Sequence, residues 1–119
     1  VIHALIDSIL GALCLDDIGS HFPDNDDKYK NISSIEFLKK RRKIMEEKNY
    51  KISNADITII LEKPKLRDYI DSMRESLAKI LKTDIKNISI KAKTNEKMDA
   101  VGRGEGIAVH CVSLLKNIN

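Results

Sequence analysis

Apolar residues repeat with two different periods along this chain. The order in which the two patterns occur limits the chain to a small number of folds. Spacings of three and four residues, typical of helices, occur over residues 1–14, 33–50 and 65–83. Dense β-branched residues or strict alternation, typical of strands, occur over residues 52–63, 87–94 and 106–115. The order helix, helix, strand, helix, strand, strand predicts an α/β fold, an α+β sandwich with helices packed on one face of a mixed β-sheet.

Length and charge exclude several classes of protein. The chain has 119 residues, enough for one domain with a hydrophobic core but few for an enzyme that builds a deep pocket alone, so we expect an oligomer that shares its sites. Its 21 basic and 18 acidic residues nearly balance, which does not require a polyanionic partner. No apolar run approaches the roughly 20 residues of a membrane span, and we expect no secretory leader before the first helix. We therefore expect a soluble protein with neither a nucleic acid nor a membrane as its partner.

The two cysteines, Cys14 and Cys111, stand in apolar runs and do not form a CxxC spacing. This pattern is typical of buried thiols in a reducing compartment, and a disulfide is the less favoured alternative. We expect both side chains to be buried as free thiols.

His3 is the unusual residue of the first helix, where it stands among aliphatic side chains. Asp7 follows four residues later, on the same edge of that helix. A buried histidine that bonds to a neighbouring carbonyl or carboxylate is common, and histidine is also the commonest metal ligand. From this stretch alone, both interpretations stay open.

A long acidic connection, LDDIGSHFPDNDDKYKN, follows the first helix at residues 15–31 and contains the chain breakers Gly19 and Pro23. Connections of this length without periodicity are usually functional or disordered when they occur inside a compact domain. The carboxylates could accept hydrogen bonds from ribose hydroxyls, and the glycine lets the backbone approach a phosphate or sugar closely. The spacing does not match a calcium-binding loop, and a solvated acidic turn is the alternative.

Three further segments carry charge beside a turn or along a helix. EKPKL sets Lys65 where a strand gives way to a helix, and the helix dipole favours an anion there. GRGEG at residues 102–106 could present Arg103 to a phosphate or form a tight bend with a charged pair, and it is not a Walker motif. KKRRK at residues 39–43 lies in a predicted helix and has no interleaved aromatic residues, so a solvated helix face is favoured over a nucleic-acid site.

Five segments, HALIDSILGAL, DIGSHFPD, PKL, KAKTNEKM and GRGEGIA, occur in the order and spacing of the 2-C-methyl-D-erythritol 2,4-cyclodiphosphate synthase family. The chain resembles that family from its first residue to its last, and HFPD and GRGEGIA are the most specific of the motifs. The resemblance implies one cyclodiphosphate synthase domain over residues 1–119. We expect this domain to be incomplete at its N-terminus, because the family's first strand and hairpin, with an Asp-x-His pair, would precede Val1. The resemblance also implies a homotrimer whose sheets face the threefold axis and whose active sites lie between subunits.

The activity that the resemblance implies is that of a lyase in non-mevalonate isoprenoid biosynthesis. Such an enzyme converts 4-diphosphocytidyl-2-C-methyl-D-erythritol 2-phosphate to 2-C-methyl-D-erythritol 2,4-cyclodiphosphate and CMP. The alternative is a cytidine-nucleotide-binding module of the same fold without catalysis. The partners implied are the small cytidine diphosphate substrate and further copies of the same chain.

The resemblance also assigns roles to residues. His3 matches the third ligand of a zinc ion whose other ligands belong to the segment expected before Val1. Thr94 matches a threonine that stabilises the transition state, and Glu96 matches the ligand of a second cation, Mg²⁺ or Mn²⁺. The implied substrate-binding residues are Asp17, Ile18, Gly19, Phe22, Pro23, Asp24, Asn25 and Asp26 around the sugar, Leu61, Glu62, Lys63, Pro64, Lys65, Leu66 and Arg67 around the cytidine, and Lys93, Thr94, Asn95, Glu96, Ala100 and Arg103 towards the phosphates and the trimer axis.

Some positions depart from the family's pattern. Lys93 stands where many members have threonine and adds a positive charge. Ala100 replaces a phenylalanine that lines an apolar cavity on the axis in many members, so the resemblance does not decide whether a terpenoid diphosphate binds there. Finally, the many Lys, Asn and Ile residues suggest an AT-rich genome. A plastid stroma, such as the apicoplast of a eukaryotic parasite, would fit the pathway, and a bacterial cytoplasm is the alternative.

Overall fold

The computed structural model describes residues 1–15 and 33–118. Its elements are α1 (Ile2–Ala12), α2 (Ser34–Glu47), β1 (Tyr50–Ile60), α3 (Ile70–Leu81), β2 (Ile88–Lys93), α4 (Asp99–Gly102) and β3 (Ala108–Asn117). Short 3-10 turns at Arg67–Tyr69 and Ile85–Asn87 lead into α3 and β2. Every predicted helix and strand is present with its ends shifted by a few residues, and α4 is the element that the sequence patterns did not predict.

The strand β1 is the centre of a three-stranded sheet in this part of the chain, with the order β2-β1-β3. It pairs in parallel with β2, from Ala55 opposite Ile88 to Ile60 opposite Lys93. It pairs antiparallel with β3. A parallel pair needs a long crossover connection, which α3 supplies here. The predicted mixed sheet of an α+β fold is therefore confirmed.

The helices α1, α2 and α3 pack on one face of this sheet, over β3, β1 and β2 respectively. Alternate residues of each strand face the helices, and residues three and four apart on each helix face the strands. The apolar sides of the sheet and of the helices therefore pack together in a single core. The buried apolar side chains are Leu5, Ile6, Ile9, Leu10, Leu38, Met45, Ile52, Ala55, Ile57, Ile59, Leu77, Ala78, Leu81, Ile88 and Ile90. Among the described residues, no helix has the length and apolar character needed to cross a bilayer.

Two arginines of the KKRRK segment correct the prediction of a solvated helix face. Arg41 is only 8% exposed. Arg42 donates from Nη1 to the carbonyl of Ile80 at 2.7 Å, and its Nε lies 3.0 Å from Glu46 Oε1. The Ile80 carbonyl is in the last turn of α3, where helix carbonyls lack an intrahelical partner. Part of the basic segment is therefore a contact between α2 and α3.

The opposite face of the sheet has no helix over it in the described ranges. On β3, Val112 is 72% exposed and Leu114 is 61% exposed. Beside them, Lys91 Nζ of β2 lies 3.1 Å from Asp56 Oδ2 of β1. This face of the sheet therefore combines exposed apolar side chains with a charged pair.

The two cysteines lie in different surroundings. Cys14 is exposed, so the prediction that it is buried is wrong. The helix α1 ends at Ala12, and Cys14 has a left-handed backbone with φ 58°, which turns it out of the apolar stripe. Cys111 is half-buried under α1, with Sγ 3.3 Å from Ser8 Oγ. Burial raises the pKa of the Cys111 thiol, and the hydrogen bonds with Ser8 and Ser113 oppose that shift.

Candidate functional site

The carboxyl ends of the two parallel strands meet at one edge of the sheet. Beyond β1, the N–H of Leu61 donates to the carbonyl of Lys93 at the end of β2, at 2.9 Å. A cavity of about 460 Å³ opens at this edge, which is where ligands bind in open α/β sheets. The residues that line it are Leu61, Pro64, Lys65, Leu66, Arg67, Asp68, Ile70, Ala92, Lys93 and Thr94.

One wall of the cavity is the connection from β1 to α3. It contains a cis peptide bond before Pro64. Leu66 and Ile70 are half-buried and pack against the hydrophobic core, whereas Lys65 and Arg67 are exposed. The wall therefore combines an anchored apolar side with two cations, close to the positive end of the α3 dipole.

The facing wall is the end of β2, where Lys93 and Thr94 line the cavity. Thr94 Oγ1 accepts a hydrogen bond from the N–H of Glu96, with the two atoms 3.5 Å apart. The Glu96 side chain is exposed and forms no ion pair with another described residue. A hydroxyl at the cavity is thus followed two residues later by a carboxylate that has no ion-pair partner among the described residues.

Hydrogen bonds shape the loop between β2 and α4. Asn95 Nδ2 donates to the Met98 carbonyl and to Asp99 Oδ1, both at 2.9 Å. Asp99 Oδ1 also accepts from the N–H of Val101 at 2.8 Å, so the carboxylate bonds to one of the N–H groups in the first turn of α4, which lack an intrahelical partner. This bond from Val101 lowers the pKa of Asp99 below its ordinary value of 3.8.

Two residues of this loop and the first residue of α4 have left-handed backbones although none is glycine: φ is 52° at Glu96, 62° at Lys97 and 58° at Asp99. Gly102 packs directly against the loop, because a Cβ there would lie 2.3 Å from the backbone C of Lys97. From the other side, Glu62 Oε1 accepts from the N–H of Lys97 at 2.9 Å. Strained conformations of this kind persist only where the surroundings hold them, so these contacts define the shape of the loop.

The GRGEG segment forms the tight bend with a charged pair that the sequence left as one of two alternatives. Arg103 Nε lies 3.2 Å from Glu105 Oε1, and Arg103 Nη2 donates to Glu105 Oε2 at 3.2 Å. Gly104, between them, has φ 77°, a conformation that glycine adopts without strain. Ala100 is exposed on α4, and neither Ala100 nor Arg103 lines the cavity.

His3 is exposed in the first turn of α1, with Nε2 3.2 Å from Ser34 Oγ at the start of α2. The alternative of a buried histidine is therefore excluded. Within residues 1–15 and 33–118, no three His, Cys, Asp or Glu side chains come together in a way that could hold a metal ion.

The cavity gathers many, but not all, of the residues that the resemblance assigned. Those that line it are Leu61, Pro64, Lys65, Leu66, Arg67, Lys93 and Thr94, and those that do not are Glu62, Lys63, Asn95, Glu96, Ala100 and Arg103. Outside the described residues lie Asp17, Ile18, Gly19, Phe22, Pro23, Asp24, Asn25 and Asp26. Sequence reasoning missed the lining residues Asp68, Ile70 and Ala92. Asp68 could have been found because it directly follows the run of cytidine residues that ends at Arg67. Ala92 lines the cavity because β2 is parallel to β1, and the sequence pattern of β2 does not reveal that pairing.

A model of the YgbB family matches residues 1–116 of the chain. The chain belongs to the YgbB family. It is 83% identical over 116 residues to the 2-C-methyl-D-erythritol 2,4-cyclodiphosphate synthase of Brachyspira hyodysenteriae, a match that covers 98% of this chain and 73% of that protein. The resemblance drawn from the HFPD and GRGEGIA motifs is thereby confirmed.

Two solved structures share this YgbB-family fold. The bifunctional IspDF of Campylobacter jejuni matches with a TM-score of 0.93 and 40% identity, over 98% of this chain and 31% of that chain. This chain therefore spans about a third of the bifunctional protein. The IspF of Plasmodium falciparum, solved as a CDP complex, matches with a TM-score of 0.88 and 36% identity, over 99% of this chain and 70% of that chain. A relative with the same fold thus binds a cytidine nucleotide.

Proposed function

We propose that this protein converts 4-diphosphocytidyl-2-C-methyl-D-erythritol 2-phosphate to 2-C-methyl-D-erythritol 2,4-cyclodiphosphate and CMP, a step of non-mevalonate isoprenoid biosynthesis. An oxygen of the 2-phosphate attacks the β-phosphorus and closes the ring, and the bond between the β-phosphorus and the oxygen of the departing CMP breaks. The observation that supports the proposal most is the 83% identity to a synthase of that name over 98% of the chain. The reaction needs no covalent enzyme intermediate, so the protein must supply positioning and charge neutralisation.

The cavity at the edge of the sheet is the cytidine site in this proposal. Its volume of about 460 Å³ falls within the range of roughly 300–1,000 Å³ that is usual for small-molecule sites. Backbone groups around Pro64 and Lys65 read the base, while the exposed cations Arg67 and Lys93 attract the phosphates. The CDP complex of the Plasmodium falciparum relative supports a cytidine nucleotide as the occupant.

Thr94 is the catalytic residue of the proposal. Its hydroxyl group stands where the cavity meets the loop before α4, and it already accepts from the N–H of Glu96. Its own proton is then left for a phosphate oxygen, where it stabilises negative charge as the β-phosphorus is attacked.

His3 and Glu96 are the residues that would hold cations. Zn²⁺ fits His3, because imidazole is a usual zinc ligand and this one is exposed; its other ligands would come from outside the described residues. Mg²⁺ or Mn²⁺ fits Glu96, because hard cations prefer carboxylate oxygens and this side chain forms no ion pair with a described residue. When bound, such cations neutralise phosphate charge and polarise the phosphorus that is attacked.

The protein acts as a homotrimer in this proposal, with one cyclodiphosphate synthase domain over residues 1–119 of each subunit. The open sheet faces turn towards a common axis, and each active site lies between neighbours. Exposed apolar side chains such as Val112 and Leu114 on β3 support this arrangement, because contiguous apolar surface marks interaction sites.

A bacterial cytoplasm is the compartment we propose. The 83% identical relative is bacterial, and a second relative, from Fusobacterium nucleatum, is 53% identical. The expectation of a plastid stroma gains no support from these relatives.

The proposal is tested by incubating the protein with the diphosphocytidyl substrate, Zn²⁺ and Mg²⁺ and following the reaction by ³¹P NMR. We expect CMP and the cyclic diphosphate to form in equal amounts. Binding of CDP without release of CMP would instead establish the cytidine-nucleotide-binding module. Failure both to bind CDP and to release CMP would contradict the assignment of the cavity.

A further inference from the structure

We propose that Glu62 is a positioning residue that ties the loop of Thr94 and Glu96 to the wall of the nucleotide cavity. Glu62 touches no reacting atom in this account and acts through the backbone of Lys97. Its effect on turnover rests on the proposed function, whereas its effect on the loop can be measured without any substrate.

The contact itself joins two distant parts of the chain. Glu62 Oε1 accepts from the N–H of Lys97 at 2.9 Å, across 35 positions of sequence. Among the described residues, no other hydrogen bond joins residues 94–99 to a distant part of the chain. A carboxylate is a strong acceptor for a backbone N–H, because the bond is charge-assisted.

The second carboxylate oxygen shows that this placement is constrained. Glu62 Oε2 is buried and has no hydrogen-bond partner among the described residues. A buried, unpaired carboxylate oxygen opposes folding, so a surface glutamate free to turn would move it into water. The side chain is instead held between the strand end and the loop.

The loop that receives this bond needs such support. Glu96 and Lys97 have φ values of 52° and 62°, which are unfavourable for residues other than glycine. Asn95 and Gly102 hold the far side of the loop through bonds and contacts of its own segment. Glu62 supplies the hydrogen bond from outside this segment, and it bonds to Lys97, the residue next to Glu96.

The position of Glu62 in sequence links that loop to the cavity. Its neighbours Leu61 and Pro64 line the cavity, and so does Thr94 at the other end of the hydrogen-bonded segment. A nucleotide bound against Leu61 and Pro64 would contact residues on both sides of Glu62 in the sequence. It would therefore also affect the Glu62 side chain, which accepts the hydrogen bond from Lys97. We infer that occupancy of the nucleotide site stabilises the loop that carries Thr94 and Glu96.

The test compares Glu62→Ala, Glu62→Gln and a control, Glu75→Ala, which removes an exposed carboxylate on α3. The first measurement is amide hydrogen exchange at Lys97 without ligand. We expect exchange in Glu62→Ala to be about ten-fold faster than in the wild type, because the acceptor of this N–H is gone. Glu62→Gln keeps an acceptor oxygen and should stay near the wild-type rate, as should Glu75→Ala.

The second measurement adds CDP. In the wild type and in Glu62→Gln, CDP should slow exchange at Lys97, and in Glu62→Ala this slowing should be lost while the Kd for CDP changes by less than about three-fold. Thermal melting of the same samples shows that each variant is folded. Exchange at Lys97 that is identical in wild type and Glu62→Ala, or equal slowing by CDP in both, would overturn the proposal.

The third measurement is turnover of the diphosphocytidyl substrate. Misplacement of catalytic groups by about 1 Å can cost on the order of 100-fold in rate, so we expect kcat of Glu62→Ala to fall by about 10- to 100-fold with KM nearly unchanged and Glu62→Gln to restore it. An unchanged kcat alongside faster exchange would overturn the positioning role in catalysis. Absence of turnover in the wild type would instead overturn the proposed function, and the exchange measurements would still decide the role of Glu62.

Discussion

Replacing Gly102 by alanine should disturb the loop before α4 and leave the rest of the fold intact. The added Cβ would lie 2.3 Å from the backbone C of Lys97 and 2.7 Å from its Cα, against 3.4–4 Å for an ordinary contact. Both are backbone atoms, so no side-chain rotation relieves the clash and the loop must move by about 1 Å. Overpacking of this kind typically costs about 1–3 kcal/mol of unfolding free energy.

Gly11→Ala is the matched control, because it makes the same chemical change where there is room. A Cβ at Gly11 meets no heavy atom within 4 Å, and Gly11 lies in α1. Alanine in a helix is more favourable than glycine by roughly 0.5–1 kcal/mol, so this variant should be stabilised.

Urea unfolding of the wild type and both variants should therefore give changes of opposite sign, with the slope of the free energy against urea unchanged. Turnover should fall in Gly102→Ala only, because only this variant moves the loop that carries Glu96. Wild-type stability and turnover in Gly102→Ala would refute the close packing of Gly102 on Lys97.

Calorimetry should give a lower Kd for CDP than for UDP, because backbone groups that pair with the amino edge of cytosine are left unpaired by uracil; equal affinities would remove the cytidine assignment. His3→Ala should lose most of its bound zinc by elemental analysis while α1 persists, since alanine favours the helix; unchanged zinc content would return His3 to a purely structural role. Burial raises the pKa of Cys111, so the folded chain keeps this proton to higher pH than the unfolded chain. The unfolding free energy should then fall as pH rises above the ordinary thiol value of 9.0, and the same fall in Cys111→Ala would contradict this.

The helices and strands could be predicted because their apolar periods are strong and local. The strand β1 has 11 residues and the helix α3 has 12, so each is long enough for its apolar period to repeat several times. Residues of these apolar patterns are also buried in the core. The family could also be predicted from the sequence, because motifs such as HFPD and GRGEGIA are short and specific.

The remaining features depend on contacts that no local pattern contains. Arg42 belongs to a charged run, and only the packing of α2 beside α3 brings it to the Ile80 carbonyl. The helix α4 is four residues long, too short for any period to appear. It is held by the hydrogen bond from the N–H of Val101 to Asp99 and by the packing of Gly102. Glu62 likewise acquires its partner, Lys97, because β1 and β2 run in parallel and end at the same edge.

The proposed reaction is tested most directly by turnover in water labelled with ¹⁸O. Because the 2-phosphate of the substrate is the nucleophile in this account, both CMP and the cyclic diphosphate should contain no oxygen from the solvent. Mass spectrometry of the two products after complete turnover makes the measurement. An ¹⁸O atom in CMP or in the methylerythritol product would show that water attacks phosphorus, and would contradict a cyclisation at this site.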